Sequence, residues 1–205
     1  ILLYREEDGS VVEMDNRCPH RFAPLHLGEL CNGHVKCKYH GLEYDRDGKC
    51  VHNPHGDGTI PKAAFVRTYP VVEKYKLIWI WMGEAEKADP ELIPDFSMME
   101  DPEVSMVKGM IFGSGNYELY TDNIMDLGHA EFLHPGLGAP AFTKGPRDIH
   151  QDDDTVWSNM WAENECLSPL HAELFDLVDQ PVNWLVDVRW NAPACMDLTL
   201  HIADA

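Results

Sequence analysis

Four side chains in two short clusters are the first residues in the chain that could do chemistry. Cys18 and His20 lie in NRCPHRFAPL (16–25), and Cys37 and His40 lie in CKYHG (37–41). The spacing is C-x-H, sixteen residues, then C-x-x-H. Thiolates and imidazoles are the ordinary ligands of zinc and of other transition metals. Structural zinc sites commonly draw two cysteines from one cluster and two histidines from the other. Here each cluster supplies one of each. Two such loops, facing each other, would offer a pair of thiolates on one side and a pair of imidazoles on the other, which suits a binuclear centre with chemically distinct ends. Pro19 and Gly41 are suited to the tight loops this needs.

Rieske [2Fe–2S] centres are ligated in this way, a histidine pair replacing a cysteine pair on one iron. Neutral imidazoles remove negative charge, and the potential rises to roughly −150 to +300 mV. A zinc knuckle is the competing reading of the spacing alone. A second set follows in DNIMDLGHAEFLH (122–134): Asn123, Asp126, His129 and His134. The first three are three residues apart and fall on one stripe of a helix. His134, five beyond His129, needs a bend or a helix end to converge, and Gly128 and Pro135 permit one. Two histidines with a carboxylate form the facial triad of non-haem Fe(II) oxygenases, with open positions for dioxygen and substrate. The bland alternative is polar residues on an amphipathic surface helix.

The elements that must position these residues fall into two groups. From 1 to about 82, turn signals at Asp8-Gly9, Asn32-Gly33, Asp47-Gly48 and Asp57-Gly58 separate strands expected at 1–5, 10–15, 33–37, 42–45, 49–52, 65–69 and 70–82. LIWIWM (77–82) reads as a buried strand, with Trp79 and Trp81 in its core. An acidic, proline-bearing connector follows. VSMVKGMIF (104–112) then reads as a strand, and 116–134 as a helix with apolar residues at 117, 120, 124 and 127. The Gly/Pro-rich 135–154 reads as a long loop ending in a solvated turn at Asp152–Asp154. TVWSNMWAE, NWLVDVRWN and ACMDLTLHI read as strands, the second presenting Trp184, Val186, Val188 and Trp190 on one face.

With 16 basic and 35 acidic residues the net charge is −19, which disfavours nucleic acid and anionic membrane as partners. No apolar run reaches the roughly 18 residues that span a bilayer, and no signal peptide is evident. Six cysteines interleaved with histidines read as metal ligands in a reducing, cytoplasmic compartment rather than as disulfides. Both ends read as cut inside folded structure, so a longer parent chain is expected.

CPHRFAPL, CKYHGLEYDRDGKCVHNP and LIWIWMGEAEKADPELIPDF resemble the Rieske domain of the Rieske non-haem iron oxygenases, in the single-chain aromatic O-demethylase branch. The resemblance runs through Asp126 and then weakens. It implies an α+β fold. An antiparallel β Rieske domain (1–85) and a connector (86–104) would precede the first part of a helix-grip, START-like catalytic domain (105–205) with a mononuclear iron site. Cys18, His20, Cys37 and His40 would hold the [2Fe–2S] cluster, and His129 and His134 the mononuclear Fe(II). Asp126 would bridge His129 to the Rieske His40 of a neighbouring subunit, which implies a homotrimer, and Asn123 would support the iron. A ferredoxin and/or an NAD(P)H-dependent reductase would supply electrons. With O2, a small aromatic substrate would be oxidised at a methoxy or methyl group, a hydroxylated methoxy carbon giving a hemiacetal that collapses to phenol and formaldehyde. Aromatic ring dihydroxylation, or electron carriage without oxygenase activity, are the rival readings.

The sequence assigns no third, carboxylate ligand. Asp187 and Asp197 lie in expected strands, where charge facing a barrel or solvent is the ordinary explanation. Cys31 and Cys50 read as packing residues or free thiols. His26, His34, His52 and His55 read as loop hydrogen-bonders. Trp157, Trp161, Trp184 and Trp190 suit either a substrate pocket or core packing.

Overall fold

A computed structural model describes residues 1–203. The chain divides into two compact units, Ile1–Val107 and Lys108–Ala205. The first is built from short antiparallel strands. β1 (Leu2–Arg5) and β2 (Val11–Met14) form a hairpin, and β3 (Glu29–Cys31), β4 (His34–Lys36), β5 (Glu43–Tyr44) and β6 (Cys50–His52) form a sheet in chain order. Asn32 and Gly33, at φ 51° and 77°, make the two-residue turn between β3 and β4. Two positive φ values match the right-handed twist of the strands they join.

The expected strand over 70–82 is instead a hairpin, β7 (Val71–Lys74) and β8 (Leu77–Ile80). Tyr75 and Lys76 turn at φ 57° and 58° without glycine or asparagine, which hides the turn from composition. LIWIWM is not buried either. Leu77, Ile78 and Met82 are exposed, Trp79 and Trp81 half-buried, and Trp81 lies beyond the strand. The ribbon has only two strands, so the outer face has no covering layer in this unit. Residues 65–69 contribute only isolated bridges, Phe65 to Lys49 and Thr68 to Met14. The core gathers Val12, Met14, Leu25, Val35, Leu42, Tyr44 and Val66, with Cys18 and Cys37 among them.

Short 3-10 turns at Ala85–Lys87, Pro90–Leu92 and Ser97–Glu100 follow. Residues 104–112 form no strand: Val107 and Ile111 are each 98% exposed. A strand persists through its hydrogen-bonded neighbour, and no strand among the described residues pairs with this segment.

The second unit is a four-stranded antiparallel sheet with short helices packed on one face. β9 (Arg147–Asp152), β10 (Thr155–Cys166), β11 (Pro181–Asn191) and β12 (Cys195–Ala203) lie in the order β12-β11-β10-β9. β9 falls in the expected loop, where its six exposed residues give no apolar alternation to read. The β11 alternation is as expected: Trp184, Val186 and Val188 are buried and Trp190 half-buried. Met160 pairs with Val186, and Val186 with Leu200, so one face of three strands becomes the core.

The expected helix over 116–134 is broken. α1 (Tyr117–Met125) stops at Asp126, a 3-10 turn covers Leu127–His129, and α2 (Ala130–Leu133) follows. The cause is local. Asp126 leaves helical backbone at φ −91°, ψ 89°, and its Oδ1 accepts the Gly128 N–H at 3.0 Å, an N-cap that restarts the chain in a new direction. Of the expected apolar face only Leu127 is buried, whereas Tyr117, Tyr120 and Ile124 are exposed. α3 (Ala141–Lys144) follows in the expected loop, and α4 (Pro169–Leu174) joins β10 to β11. Antiparallel sheets segregated from a few helices make the fold α+β. Among the described residues no helix is long and apolar enough to cross a membrane.

Candidate metal centres

The two cysteine loops of the first unit share one backbone design. In each, the residue four beyond the cysteine is left-handed and donates its N–H to the cysteine carbonyl: Phe22 (φ 58°) to Cys18 at 2.9 Å, and Gly41 (φ 73°) to Cys37 at 2.8 Å. Each cysteine N–H in turn donates to the carbonyl of the residue after, Cys18 to Ala23 (2.9 Å) and Cys37 to Leu42 (2.8 Å). A left-handed Phe costs roughly 1–2 kcal/mol that glycine avoids. The Arg17 guanidinium, 3.9 Å from the centre of the Phe22 ring, gives part of that back.

The loops bring like ligands together. Cys18 and Cys37 are 2% and 1% exposed. Burial first, and then the neighbouring Cys18 thiol, push the Cys37 thiol above its ordinary range. The Tyr44 hydroxyl lies 3.3 Å from Cys18 Sγ. Burial and that sulfur raise the Tyr44 hydroxyl well above its usual range, which keeps it a proton donor. At the other end the His20 and His40 rings stand 4.6 Å apart, His20 exposed and His40 half-buried. Burial, followed by His20, lowers the His40 pKa and favours the neutral imidazole that a metal requires. His55, read as a loop hydrogen-bonder, reaches the His40 carbonyl through Nε2 at 2.8 Å. No local pattern signals the Tyr44 contact, which joins β5 to the Cys18 loop.

Among the described residues, no three His, Cys, Asp or Glu side chains converge on a single metal position. A [2Fe–2S] cluster of this type takes a pair of thiolates on one iron and a pair of imidazoles on the other. The donor set therefore fits a [2Fe–2S] centre: a buried thiol pair, an outer imidazole pair, and a hydroxyl on one sulfur.

In the second unit the break at Asp126 gathers the other set. His129 and His134 have ring centres 5.2 Å apart at 73°. The Asp126 carbonyl accepts a short hydrogen bond from His129 Nδ1, because a carbonyl can only accept. This assigns the proton to Nδ1 and leaves Nε2 as the lone-pair nitrogen. His134 ends α2 at φ −125°, ψ 70°, the departure from helix that its spacing demanded. Gly138 lets the following loop fold tightly under α2, since a Cβ there would meet the Ala130 carbonyl at 2.3 Å. Both histidines and Asn123 line a cavity of about 270 Å³ walled by Leu127, Phe142, Val186 and Leu200. The Asp126 carboxylate is engaged with the Gly128 N–H, and it is the backbone carbonyl that meets the ring.

Strand alternation settles two acids. Val186, Leu198 and Leu200 face the cavity, so Asp187 and Asp197 point to the other side of the sheet. Asp187 Oδ2 lies 3.0 Å from His201 Nε2 there. No acid among the described residues takes the third position. None of the four tryptophans lines this cavity. Trp184 packs on Phe142 with ring centres 5.6 Å apart. A residue that the sequence reading missed does line it: His171 of α4. Ser168-x-x-His171 was its only local trace.

Residues 1–70 match the Rieske [2Fe-2S] domain and residues 114–205 the vanillate O-demethylase oxygenase C-terminal domain. The chain belongs to the Rieske non-haem iron oxygenases. It is 44% identical over 197 residues to the oxygenase component of dicamba O-demethylase from Stenotrophomonas maltophilia, covering 96% of this chain and 58% of that one. With a vanillate O-demethylase oxygenase subunit from a Pseudomonas strain it shares 34% over 170 residues, 82% of this chain and 48% of the other. A crystal structure of dicamba monooxygenase with non-heme iron and dicamba superposes with a TM-score of 0.82 at 41% identity, over 98% of this chain and 58% of that chain. The chain thus spans a little over half of these oxygenases.

Proposed function

We propose that the chain belongs to the terminal oxygenase component of a Rieske monooxygenase that uses O2 and externally supplied electrons to oxidise a small aromatic substrate, most simply by O-demethylation. The observation that carries this is the paired design: a Cys18/Cys37 and His20/His40 set in one unit, and a His129/His134 pair in an apolar cavity in the other. Cys18 and Cys37 would hold one iron of a [2Fe–2S] cluster and His20 and His40 the other, while His129 and His134 would hold a mononuclear Fe(II). When bound, the cluster supplies single electrons and the mononuclear iron supplies dioxygen chemistry.

The residues of the chain do the rest. The exposed His20 edge suits contact with a ferredoxin or an NAD(P)H-dependent reductase. The Asp126 carbonyl holds the His129 ring in one tautomer. The Leu127, Phe142, Val186 and Leu200 walls exclude water and accept an aromatic ring. As in the family resemblance, Asp126 would link His129 to the partner subunit's His40 in a homotrimer, and Asn123 would support the iron site.

The test is anaerobic absorption and EPR spectroscopy of the purified protein, with iron, sulfide and zinc quantified. A reducible Rieske signal with two irons and two sulfides per cluster, plus one further iron, is the expected outcome. Stoichiometric zinc without a visible chromophore would refute the reading.

A further inference from the structure

The cavity beside His129 and His134 is mainly apolar, yet α4 sends one polar ring into it, that of His171. The neighbouring groups are arranged around this ring in a particular way. Ser168 occupies the N-cap position of α4, where a serine ordinarily accepts a backbone N–H. Its side chain makes no cap hydrogen bond. It lies instead 2.7 Å from His171 Nδ1, and Ser168 is 3% exposed. The helix forgoes a cap in order to hold the ring.

The polarity of that contact follows from the hydrogen-bond inventory. Ser168 Oγ has no other partner among the described residues, so its proton is satisfied by donation to Nδ1. The imidazole proton then lies on Nε2, the ring nitrogen that Ser168 leaves free on a residue lining the cavity. Burial lowers the His171 pKa, which favours the neutral ring with a single N–H. The ring is also fixed in position. The Leu170 N–H donates to the Gly136 carbonyl at 2.9 Å, tying α4 to the loop that follows His134.

We propose that His171 is a substrate-recognition residue whose Nε2–H donates a hydrogen bond to an oxygen acceptor on the ring of an aromatic substrate, orienting its reacting substituent toward His129 and His134. The substrate class is an alkoxy- or alkyl-arene with one further acceptor oxygen, neutral or anionic. This rests on the oxygenase reading for the reacting group but not for the contact itself.

The test is equilibrium dialysis of the full-length, metal-loaded protein with three probes. Meta-methoxyacetophenone carries a neutral acceptor, meta-methoxybenzoate an anionic one, and meta-ethylanisole has a similar shape with no acceptor at that position. His171→Leu should weaken one or both acceptor probes by about tenfold to a hundredfold and leave meta-ethylanisole within about twofold. His171→Gln, which can place an amide N–H near the Nε2 position, should restore most of the loss, and Ser168→Ala should fall between. Loss confined to the benzoate, or to the acetophenone, assigns the anionic or the neutral acceptor. Equal loss of all three probes would make His171 merely structural, and no loss, or equal wild-type affinity for all three, would also overturn the proposal. Because dialysis needs no turnover, a protein without a Rieske signal would defeat the oxygenase reading while leaving this result interpretable.

Discussion

The two metal-site regions reach convergence by different routes. In the first unit each expected histidine lies two or three residues beyond its cysteine in the same loop, and each loop closes through its own backbone hydrogen bonds. The cysteines belong to the hydrophobic core, so folding itself fixes the thiol pair. In the second unit the two histidines meet where the chain leaves helix at His134, after the turn that Asp126 starts, and the cavity around them is completed by β11, β12 and α4. The first centre is a loop property and the second a packing property. The first should therefore tolerate change elsewhere in the chain, and the second should not.

The largest expected effect separates the two regions. Asp126→Asn keeps an Oδ1 to cap the Leu127–His129 turn, so the fold and the Rieske spectrum should persist. Turnover should nevertheless fall by at least two orders of magnitude, because the proposed electron link loses its carboxylate. Full steady-state activity in that variant would break the link between the regions.

Next comes Glu13 on β2, which is 1% exposed with no side chain paired to its carboxylate. Burial, with Asp15 beside it, pushes its pKa up to about 7. The folded unit thus holds a proton that the unfolded chain releases near pH 4.3. Stability is highest below that value, falls as pH rises toward 7, and stays reduced above it. Glu13→Gln should add roughly 3 kcal/mol above pH 7 and almost nothing at pH 4. Thermal unfolding of the two proteins across that range reads this directly.

The smallest effect is at Tyr44. Removing its hydroxyl from Cys18 Sγ withdraws a hydrogen bond that favours the electron-rich, reduced cluster. A loss of about 1 kcal/mol corresponds to a potential lower by roughly 40 mV in Tyr44→Phe, measurable by redox titration. An unchanged potential would remove Tyr44 from the account of the cluster.

Much of this was legible in the residues. C-x-H and C-x-x-H each mark one loop, because residues two or three positions apart share a turn, while the like pairs form across the two loops. The β11 alternation placed Trp184, Val186 and Val188 on one face, since strand period is a property of the backbone. Other readings failed where a neighbour decided the outcome. The Tyr75–Lys76 turn carries no glycine, and the 104–112 segment is apolar without a strand beside it.

The sequence by itself determined which cysteines and histidines stand together in each loop, their division between two loops, and the family to which those motifs point, because each motif is local in the chain. Tertiary structure alone decided that Asp187 and Asp197 face away from the histidines, that Tyr44 meets Cys18, and that His171 enters the cavity. Those contacts join elements tens of residues apart. Their free energy comes from burying faces against one another, and no local spacing records which faces will meet.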